Sequence, residues 1–497
     1  MKTRLTPLLS LLLLAVFTAC NGLPSNYTES TEPVSLVPDY QSVTIPINVA
    51  PMNVLIDEEA DAYKVCLRSK NGKPLITKGK KACFSLKKWR RLIEANPGEA
   101  LTMDIYVKKN GQWVHFPTVT NHIAPEPVDP YVVYRYLPPL YTTYEVMSIN
   151  QRDLTSFDVT SLYDSRLMSN NKQFQCVNCH SFQDYNKTGA MQLHVRGDNG
   201  GTIIVHDGQH EKVNLKAEDL IAGAVYPSWH PSLNMIAYSI NTIGQNFYTK
   251  DPDKVEVMDD KSDIILYDID ANRILPVSMS PDWLETFPYW SPDGRYLYFV
   301  AAPFKPAMMN TQAEIIIKHN TIRYNLVRKP FDPVTKTFGP ADTLISARET
   351  GMSCTFPRVS PDGQHLLFTM GNYGNFHIWH KSSDLYLMDL NTGAYEPATV
   401  INSPDVESYH SWSSNGRWVV FSSRRQDGGY TRLFLAYFDA NGQFHKPFVI
   451  PQKDPDFYQR TLKSFNIPEF TVQPAPTDRH HLVKAISQDA KKAEMAQ

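Results

Sequence analysis

The chain has little net charge and few of the motifs that mark common enzyme classes. Its 497 residues carry 49 Lys and Arg against 51 Asp and Glu, a formal net charge of −2. This balance gives no global attraction to nucleic acid or to an anionic membrane surface. The sequence contains no Gly-x-Ser-x-Gly elbow, phosphate loop, His-Glu-x-x-His pair or dinucleotide fingerprint. No catalytic residue is therefore assigned.

Long hydrophobic runs are also missing, except at the N-terminus. "MKTRL" is a short positive region, "PLLSLLLLAV" is an apolar run too short to span a bilayer, and "TAC" supplies small residues. "FTAC" resembles a bacterial lipobox, which implies cleavage before Cys20 and diacylation of that cysteine. We therefore predict a signal peptide over 1–19, a polar tether over 20–39, and a periplasm-facing protein held to a bacterial membrane by its lipid anchor.

The second half of the chain repeats itself. Each repeat has an aromatic residue, usually Pro, a turn, and then an alternating or apolar strand. The four copies are "VYPSWHPSLNMIAYS", "TFPYWSPDGRYLYFV", "TFPRVSPDGQHLLFT" and "SYHSWSSNGRWVVFS". Second hairpins such as "DIILYDIDANRI" and "DLYLMDLNTGAYEP" lie between them. Two hairpins per repeat make a four-stranded unit, which is typical of a β-propeller.

Counting these units, with "DPYVVYRYLPP" and "GGTIIVHDGQHEKVNLK" as parts of two earlier ones, predicts about six blades over residues 126–470. The segment 40–125 differs, because it has short strands, two Asn-Gly turns and the helical stretch "SLKKWRRLIEAN". It predicts a small β-sandwich-like domain. The fold class is thus all-β, a propeller preceded by a small β domain. The segment 471–497 is expected to be a loosely ordered polar tail.

The repeats carry a family resemblance. "WSPDGRYLYF" and "VSPDGQHLLF" look like the WD-like repeat of the TolB family. "DPYVVYRY", "CVNCHSF" and "VYPSWHP" together resemble a family of exported bacterial propeller lipoproteins. The resemblance implies the propeller fold, and it motivates the hypothesis that a protein or envelope partner docks on a propeller face. It implies no settled activity, because propellers host many functions.

The segment "FQCVNCHSFQ" contains Cys176, Cys179 and His180 in the order Cys-x-x-Cys-His. In an exported chain this pattern is typical of covalent haem c attachment, with thioethers from both cysteines and His180 as the proximal iron ligand. Met191 and His194 follow as candidates for the distal ligand, and Met191 is preferred. The motif is expected in a loop near 170–195. A Cys176–Cys179 disulfide or dithiol and a zinc site stay open as alternatives.

Two other cysteines and two histidines are predicted to have structural roles. Cys66 and Cys83 are expected as two buried thiols, since the hairpin at Asn71 leaves them too far apart for a disulfide. His377 and His380 are expected to diverge on a strand.

The sequence therefore predicts an exported c-type haem protein in electron transfer or redox sensing, with a redox partner. A haem-free binding propeller is the alternative, and a propeller hydrolase is a third hypothesis.

Overall fold

The computed structural model describes residues 22–138, 146–169, 175–218, 220–248, 250 and 253–496. The predicted signal peptide and lipidation site, Cys20, lie outside these residues. No helix in the described ranges is both long and apolar enough to cross a membrane.

The N-terminal region consists of two sheets and one helix. Its strands are β1 (Thr28–Glu29), β2 (Leu36–Val37), β3 (Thr44–Pro46), β4 (Val54–Ile56), β5 (Ala62–Arg68), β6 (Leu75–Lys78), β7 (Lys81–Ala82), β8 (Ala100–Lys109), β9 (Gln112–His115) and β10 (Val119–Ala124). β2, β4 and β7 form one sheet, and the other seven form the second. The predicted tether is too long, because β1 pairs with β9 and β2 pairs with β4.

Helix α1 (Leu86–Glu94) lies where the sequence predicts it. Trp89, Leu92 and Ile93 are three or four residues apart, so they share one face, and all three are buried. The indole N–H of Trp89 donates to the carbonyl of Val49 at 2.8 Å. The helix is thereby fixed against the β3–β4 connection.

Six blades follow, as the sequence predicts; five have four strands, and blade 4 has five. Blade 1 contains β11 (Tyr131–Leu137), β12 (Ser148–Asp153), β13 (Val159–Asp164) and β35 (Ser464–Thr471), and blade 2 contains β14 (Gln175–Phe182), β15 (Met191–Gly197), β16 (Gly201–His206) and β17 (Gln209–Asn214). Blade 3 contains β18 (Ala224–Trp229), β19 (Met235–Phe247), β20 (Val255–Asp268) and β21 (Arg273–Ser278). Blade 4 contains β22 (Trp283–Trp290), β23 (Tyr296–Pro303), β24 (Asn325–Asp332), β25 (Thr337–Phe338) and β26 (Asp342–Ile345), and also helix α2 (Thr311–Lys318).

Blade 5 contains β27 (Ser353–Val359), β28 (His365–Gly371), β29 (Asp384–Asp389) and β30 (Tyr395–Pro397), preceded by helix α3 (Ala347–Thr350). Blade 6 contains β31 (Glu407–Trp412), β32 (Trp418–Ser423), β33 (Arg432–Tyr437) and β34 (Phe448–Val449), followed by helix α4 (Phe457–Arg460). The ring closes in blade 1, where the late strand β35 pairs antiparallel with the early strand β11. The all-β, six-bladed prediction is confirmed.

The C-terminal segment is ordered, which corrects the expectation of a loose tail. Helix α5 (Arg479–Ile486) buries Leu482, Ala485 and Ile486. Strand β36 (Lys491–Lys492) then adds to the outer edge of β17, and β37 (Glu494–Met495) adds to β21. The sequence of this segment is polar because short edge strands bury little apolar surface. The strands are nevertheless ordered, because their backbone groups pair with β17 and β21.

The predictions for the Cys66/Cys83 pair and for the His377/His380 pair also need correction. Cys66 is buried, but Cys83 is exposed, and none of the five described cysteines is in a disulfide. His377 lies in a short 3₁₀ turn rather than a strand, so its ring lies only 5.6 Å from that of His380. Both imidazoles are buried, and His380 Nε2 lies 2.9 Å from a carboxylate oxygen of Glu256.

Candidate functional site: the central pocket

The inner strand of each blade has an irregularity at the same place. Five of these strands have a break in register, and at the break a residue takes a left-handed conformation. These residues are Tyr226 (φ 49°), Phe287 (φ 56°), Phe356 (φ 50°), Tyr409 (φ 30°) and Ile467 (φ 50°). Bulges turn a side chain away from the regular alternation of a strand. In each blade this turns the bulge residue toward the propeller axis.

The sixth inner strand is β14, which contains the Cys-x-x-Cys-His motif. Its register breaks between Asn178 and His180, so Cys179 stands at the bulge position. The prediction of a loop is therefore wrong, since residues 175–182 form a strand. The sequence obscures this because the aromatic-Pro pair found in blades 3, 4 and 5 is replaced by Cys179 and His180.

Four bulge aromatics close the central channel. The ring centroids of Tyr226 and Phe287 lie 4.4 Å apart, those of Phe287 and Phe356 lie 4.4 Å apart, and those of Phe356 and Tyr409 lie 4.1 Å apart. The rings are tilted against one another, which is a favourable arrangement for aromatic pairs. This aromatic plug blocks the channel partway along the axis.

A pocket of about 340 Å³ lies on one side of the plug. The residue two positions after each bulge lines it, so that all six blades contribute. These residues, here called the polar ring, are Ser181, Ser228, Tyr289, Arg358, Ser411 and Glu469. Enclosed pockets with apolar walls and a few convergent polar groups are the usual form of small-molecule sites.

The polar ring contains one cation and one acid. The guanidinium of Arg358 lies 4.6 Å from the centre of the Tyr289 ring and donates through Nη1 to the carbonyl of Pro357 at 2.8 Å. Glu469 Oε1 accepts the backbone N–H of Phe182 at 2.9 Å. Burial raises the pKa of Glu469 to about 8, although that hydrogen bond and Arg358 oppose the rise. At neutral pH Glu469 is therefore mostly protonated, and Arg358 is charged.

Two histidines line the same pocket in the neutral form. Burial, together with nearby Arg135, lowers the pKa of His180 to about 3. Burial and Arg358 lower that of His410 to about 3. The His180 ring lies near the carbonyl of Val133, but neither ring nitrogen reaches hydrogen-bond geometry with a described residue. His180 is only 3% exposed. An unpartnered buried imidazole on the pocket wall is available to a ligand.

The mouth of the pocket is shaped by a strained turn. Asp184, Tyr185 and Asn186 are all left-handed, with φ of 40°, 56° and 64°. Asn186 Nδ2 donates to the carbonyls of Gln473 and Pro474 at 3.1 and 2.9 Å, so the turn is fixed to the chain after β35. The turn places Tyr185 on the pocket wall. Consecutive left-handed residues store conformational strain, which concentrates at functional sites.

The two motif cysteines face different neighbours. Cys176 packs in a cluster with Tyr163 and Leu162 of blade 1. Cys179 lies close enough to the Tyr226 and Tyr238 hydroxyls of blade 3 to affect their pKa values, and it lines the pocket. Two thioethers to one haem need both thiols directed at the same macrocycle. As placed in the structure, Cys176, Cys179 and His180 do not fit a covalent haem.

Neither candidate distal ligand lines the central pocket with His180. Met191 is buried in the blade 1–blade 2 cluster and pairs with Phe182. His194 lines a different cavity, and its Nδ1 lies 3.2 Å from Thr202 Oγ1. Among the described residues, no group of three or more His, Cys, Asp or Glu side chains is arranged to hold a metal ion.

Sequence reasoning missed the polar ring. A signal for it was present, because Tyr289, Arg358 and Ser411 each follow the repeat aromatic by two residues. Glu469 follows Ile467 in the same way, although Ile467 does not show the aromatic of the repeat. Variable polar residues at a fixed repeat position indicate a site rather than scaffold.

Comparison with known proteins adds little beyond the fold. No family model matches the chain. No curated protein matches it. Among solved structures, an oligogalacturonate lyase in complex with manganese is 12% identical, with a TM-score of 0.30 over 84% of this chain and 99% of the other. An oligogalacturonate lyase from Vibrio parahaemolyticus is 11% identical, with a TM-score of 0.31 over 83% and 99%. The periplasmic gluconolactonase of Pseudomonas aeruginosa is 10% identical, with a TM-score of 0.26 over 64% and 68%.

These scores are low, so no activity is transferred from these proteins to this chain. The propeller fold is inferred from the six blades themselves.

Proposed function

We propose that this protein binds a small organic ligand in the central pocket of its propeller, and that it does so outside the cytoplasm, anchored to a membrane through Cys20. One observation carries the proposal. The pocket is closed on one side by the aromatic plug, and all six blades supply a polar or charged side chain to its wall. Convergence of this kind orients a ligand while the surrounding rings exclude water.

Membership of a TolB-like group of exported propellers is part of this proposal. It is supported by the Ser-Pro-Asp-Gly turns of blades 4 and 5, each of which is followed by an apolar strand. A binding role suits such a propeller better than a named reaction, because the fold alone specifies no chemistry. A protein partner on the same face would then sense whether the pocket is filled.

A thermal-shift screen of a broad metabolite library against the mature chain tests the binding proposal. Ligands of the pocket are expected to raise the melting temperature of the wild-type protein through their binding energy. Ser411→Phe fills the pocket wall with a larger side chain, since Ser411 is half-buried there. The shift is expected to disappear in this variant, provided that its circular dichroism matches the wild type. A library without a pocket-dependent hit would count against the proposal.

Covalent haem attachment stays a prediction that competes with this proposal. The opposed orientations of Cys176 and Cys179 argue against it. An absorbance spectrum of protein from its native host, reduced minus oxidised, distinguishes the two. We expect no haem bands; a band that survives denaturation would revive the haem function.

Turnover of the bound ligand is a second candidate, and Glu469 favours it. A carboxyl group with a pKa of about 8 inside a pocket can give up or accept a proton near neutral pH. Mass spectrometry of each library hit after prolonged incubation would detect a product. Turnover by wild type that is lost in Glu469→Gln would establish an enzyme, and unchanged ligand throughout would leave a binding protein.

A further inference from the structure

We propose that the ligand of the central pocket is a small organic monocarboxylate, held by an ion pair with Arg358 and by a hydrogen bond from Glu469. This inference rests on the proposed function and specifies the chemistry of its ligand.

Arg358 is a cation without a fixed counter-charge. The structure gives its guanidinium one hydrogen bond, to the carbonyl of Pro357, and one stacking contact, with Tyr289. No ion pair joins Arg358 to a carboxylate among the described residues. A guanidinium has five N–H donors in a planar fork, so most of its donors are available on the pocket side. A desolvated cation is stabilised when a ligand supplies the missing anion.

The other charges around the pocket cancel or are absent. Lys187 and Asp184 at the mouth pair with each other at 3.0 Å. His180 and His410 are neutral, because each has a pKa of about 3. Glu469 is mostly protonated at neutral pH, with its pKa at about 8. The polar ring therefore carries about one net positive charge, from Arg358.

One positive charge selects for one negative charge. A carboxylate matches the guanidinium fork with two parallel hydrogen bonds. A protonated Glu469 has one O–H to donate, which a carboxylate oxygen can accept. A phosphate carries more charge and three acceptor oxygens, and it would need a second cation that the polar ring does not supply. The geometry thus favours a monocarboxylate over a phosphate.

The rest of the ligand would lie against apolar walls. Trp229, Trp290, Pro227 and Pro288 line the pocket beside the serines. Its volume of about 340 Å³ is at the small end for ligand sites. We therefore expect a compact ring or short chain that bears the carboxylate, with hydroxyl groups that can reach Ser181, Ser228 or Ser411.

Ionisation of Glu469 should weaken binding. Above pH 8 this side chain gains a negative charge and loses its donor, so it repels the carboxylate. Tyr185, Tyr289 and Arg358 lie close enough to Glu469 to interact with it electrostatically. Cys179, His180 and His410 line the same pocket, and Arg135 lies near His180. The pKa values of both histidines lie well below 7, and those of both tyrosines are raised. Glu469, with its pKa at about 8, therefore changes charge between pH 7 and 9.

Isothermal titration calorimetry of the mature chain at pH 7 tests the ligand class. The probes are 4-hydroxybenzoate, glucuronate and lactate, each compared with its own amide, and inorganic phosphate. At least one carboxylate is expected to bind about tenfold or more tightly than its amide. Arg358→Gln should remove that preference, whereas Arg348→Gln, an exposed control in helix α3 that does not line the pocket, should keep it.

The outcomes separate this inference from the proposed function. Equal binding of acid and amide, or tighter binding of phosphate, would overturn the carboxylate inference while the pocket still binds a ligand. Absence of binding by every probe would also overturn it, and the library screen with Ser411→Phe would then decide the proposed function by itself.

The pH arm tests the role of Glu469. The ratio of Kd at pH 9 to Kd at pH 7 is expected to be about tenfold for the wild type. It should fall to near one in Glu469→Gln, whose amide keeps a donor at both pH values, and stay at the wild-type value in Glu349→Gln, an exposed control. A ratio that is the same in wild type and Glu469→Gln would contradict the assigned role.

Discussion

Gly294 lies in the turn of blade 4 that presses against His230 of blade 3. Its φ is +68°, and a Cβ there would come within 2.4 Å of the imidazole. His230 Nε2 also donates to the Gly294 carbonyl at 3.1 Å, so the ring is not free to move away. Gly294→Ala is therefore expected to lower the free energy of unfolding by about 2–4 kcal/mol, through left-handed strain together with the clash.

Gly363 provides the matched control, because it occupies the same turn position in blade 5. Its φ is +71°, but a Cβ there would meet nothing within 4 Å. Gly363→Ala should cost only the conformational strain, about 1 kcal/mol. Urea unfolding of both variants gives the comparison, and equal losses would contradict the role assigned to His230.

The buried histidines predict how stability depends on pH. The pKa of His410 is lowered to about 3 in the folded protein. In the unfolded chain the imidazole binds a proton near pH 6.5, whereas in the folded protein it stays neutral at that pH. Stability is thus lost as pH falls from about 6.5 toward 3, by about 2 kcal/mol for this histidine at pH 5. His410→Gln should make the fall between pH 7 and pH 5 shallower by that amount in urea titrations. An unchanged slope would contradict the neutral state of His410.

At the scale of elements, the repeat signature predicts four inner strands, and the other two, β14 and β35, are identified only in the structure. The aromatic-Pro pattern predicts β18, β22 and β27 directly, since Gly and Pro preset their turns. β14 lacks that pattern, and its Cys-x-x-Cys-His sequence points to chemistry instead of to a strand. Its identity as an inner strand depends on its contacts with β18 and β35 of the neighbouring blades, which are long-range constraints that local pattern does not show.

The polar ring could not be predicted from the sequence, for a related physical reason. Ser181 and Glu469 lie 288 residues apart and meet only because the ring closes through β35 and β11. A lone serine or glutamate on a strand is most often a solvated residue. Only the bulge, repeated in each blade, turns these side chains toward the axis.

The C-terminal helix and edge strands allow a prediction for truncation. Ending the chain after Asp478 removes α5, whose Leu482 and Ile486 are fully buried. Loss of that burial should lower the free energy of unfolding by about 3–5 kcal/mol. Ending it after Gln488 keeps α5 and removes only β36 and β37, so the loss should be smaller. Chemical denaturation of both truncations tests the order, and equal losses would show that α5 contributes little.

At the scale of the whole molecule, the N-terminal region and the propeller share one hydrophobic core. Residues from β3, α1 and β8 belong to the same buried cluster as residues from blade 6. Tyr40 donates to the carbonyl of Val449 at 3.0 Å, and Asn53 donates to that of Lys453 at 2.9 Å. The interface is thus a continuation of the core rather than a contact between separate domains.

A shared core predicts one cooperative unfolding transition. Differential scanning calorimetry of the mature chain should give a single peak, because neither part can lose its half of the cluster independently. A fragment that begins at residue 126 should expose blade 6 side chains and melt at a lower temperature. Two well-separated peaks, or a fragment as stable as the full chain, would show that the two regions fold independently.

The central claim is that the pocket formed by the polar ring binds a small ligand. Its most direct test is calorimetric titration of the best library hit into the wild-type protein and into Ser411→Phe. The account predicts saturable binding with a stoichiometry of one in the wild type and at least about tenfold weaker binding in the variant. Equal binding to both folded proteins would place the ligand elsewhere and contradict the claim.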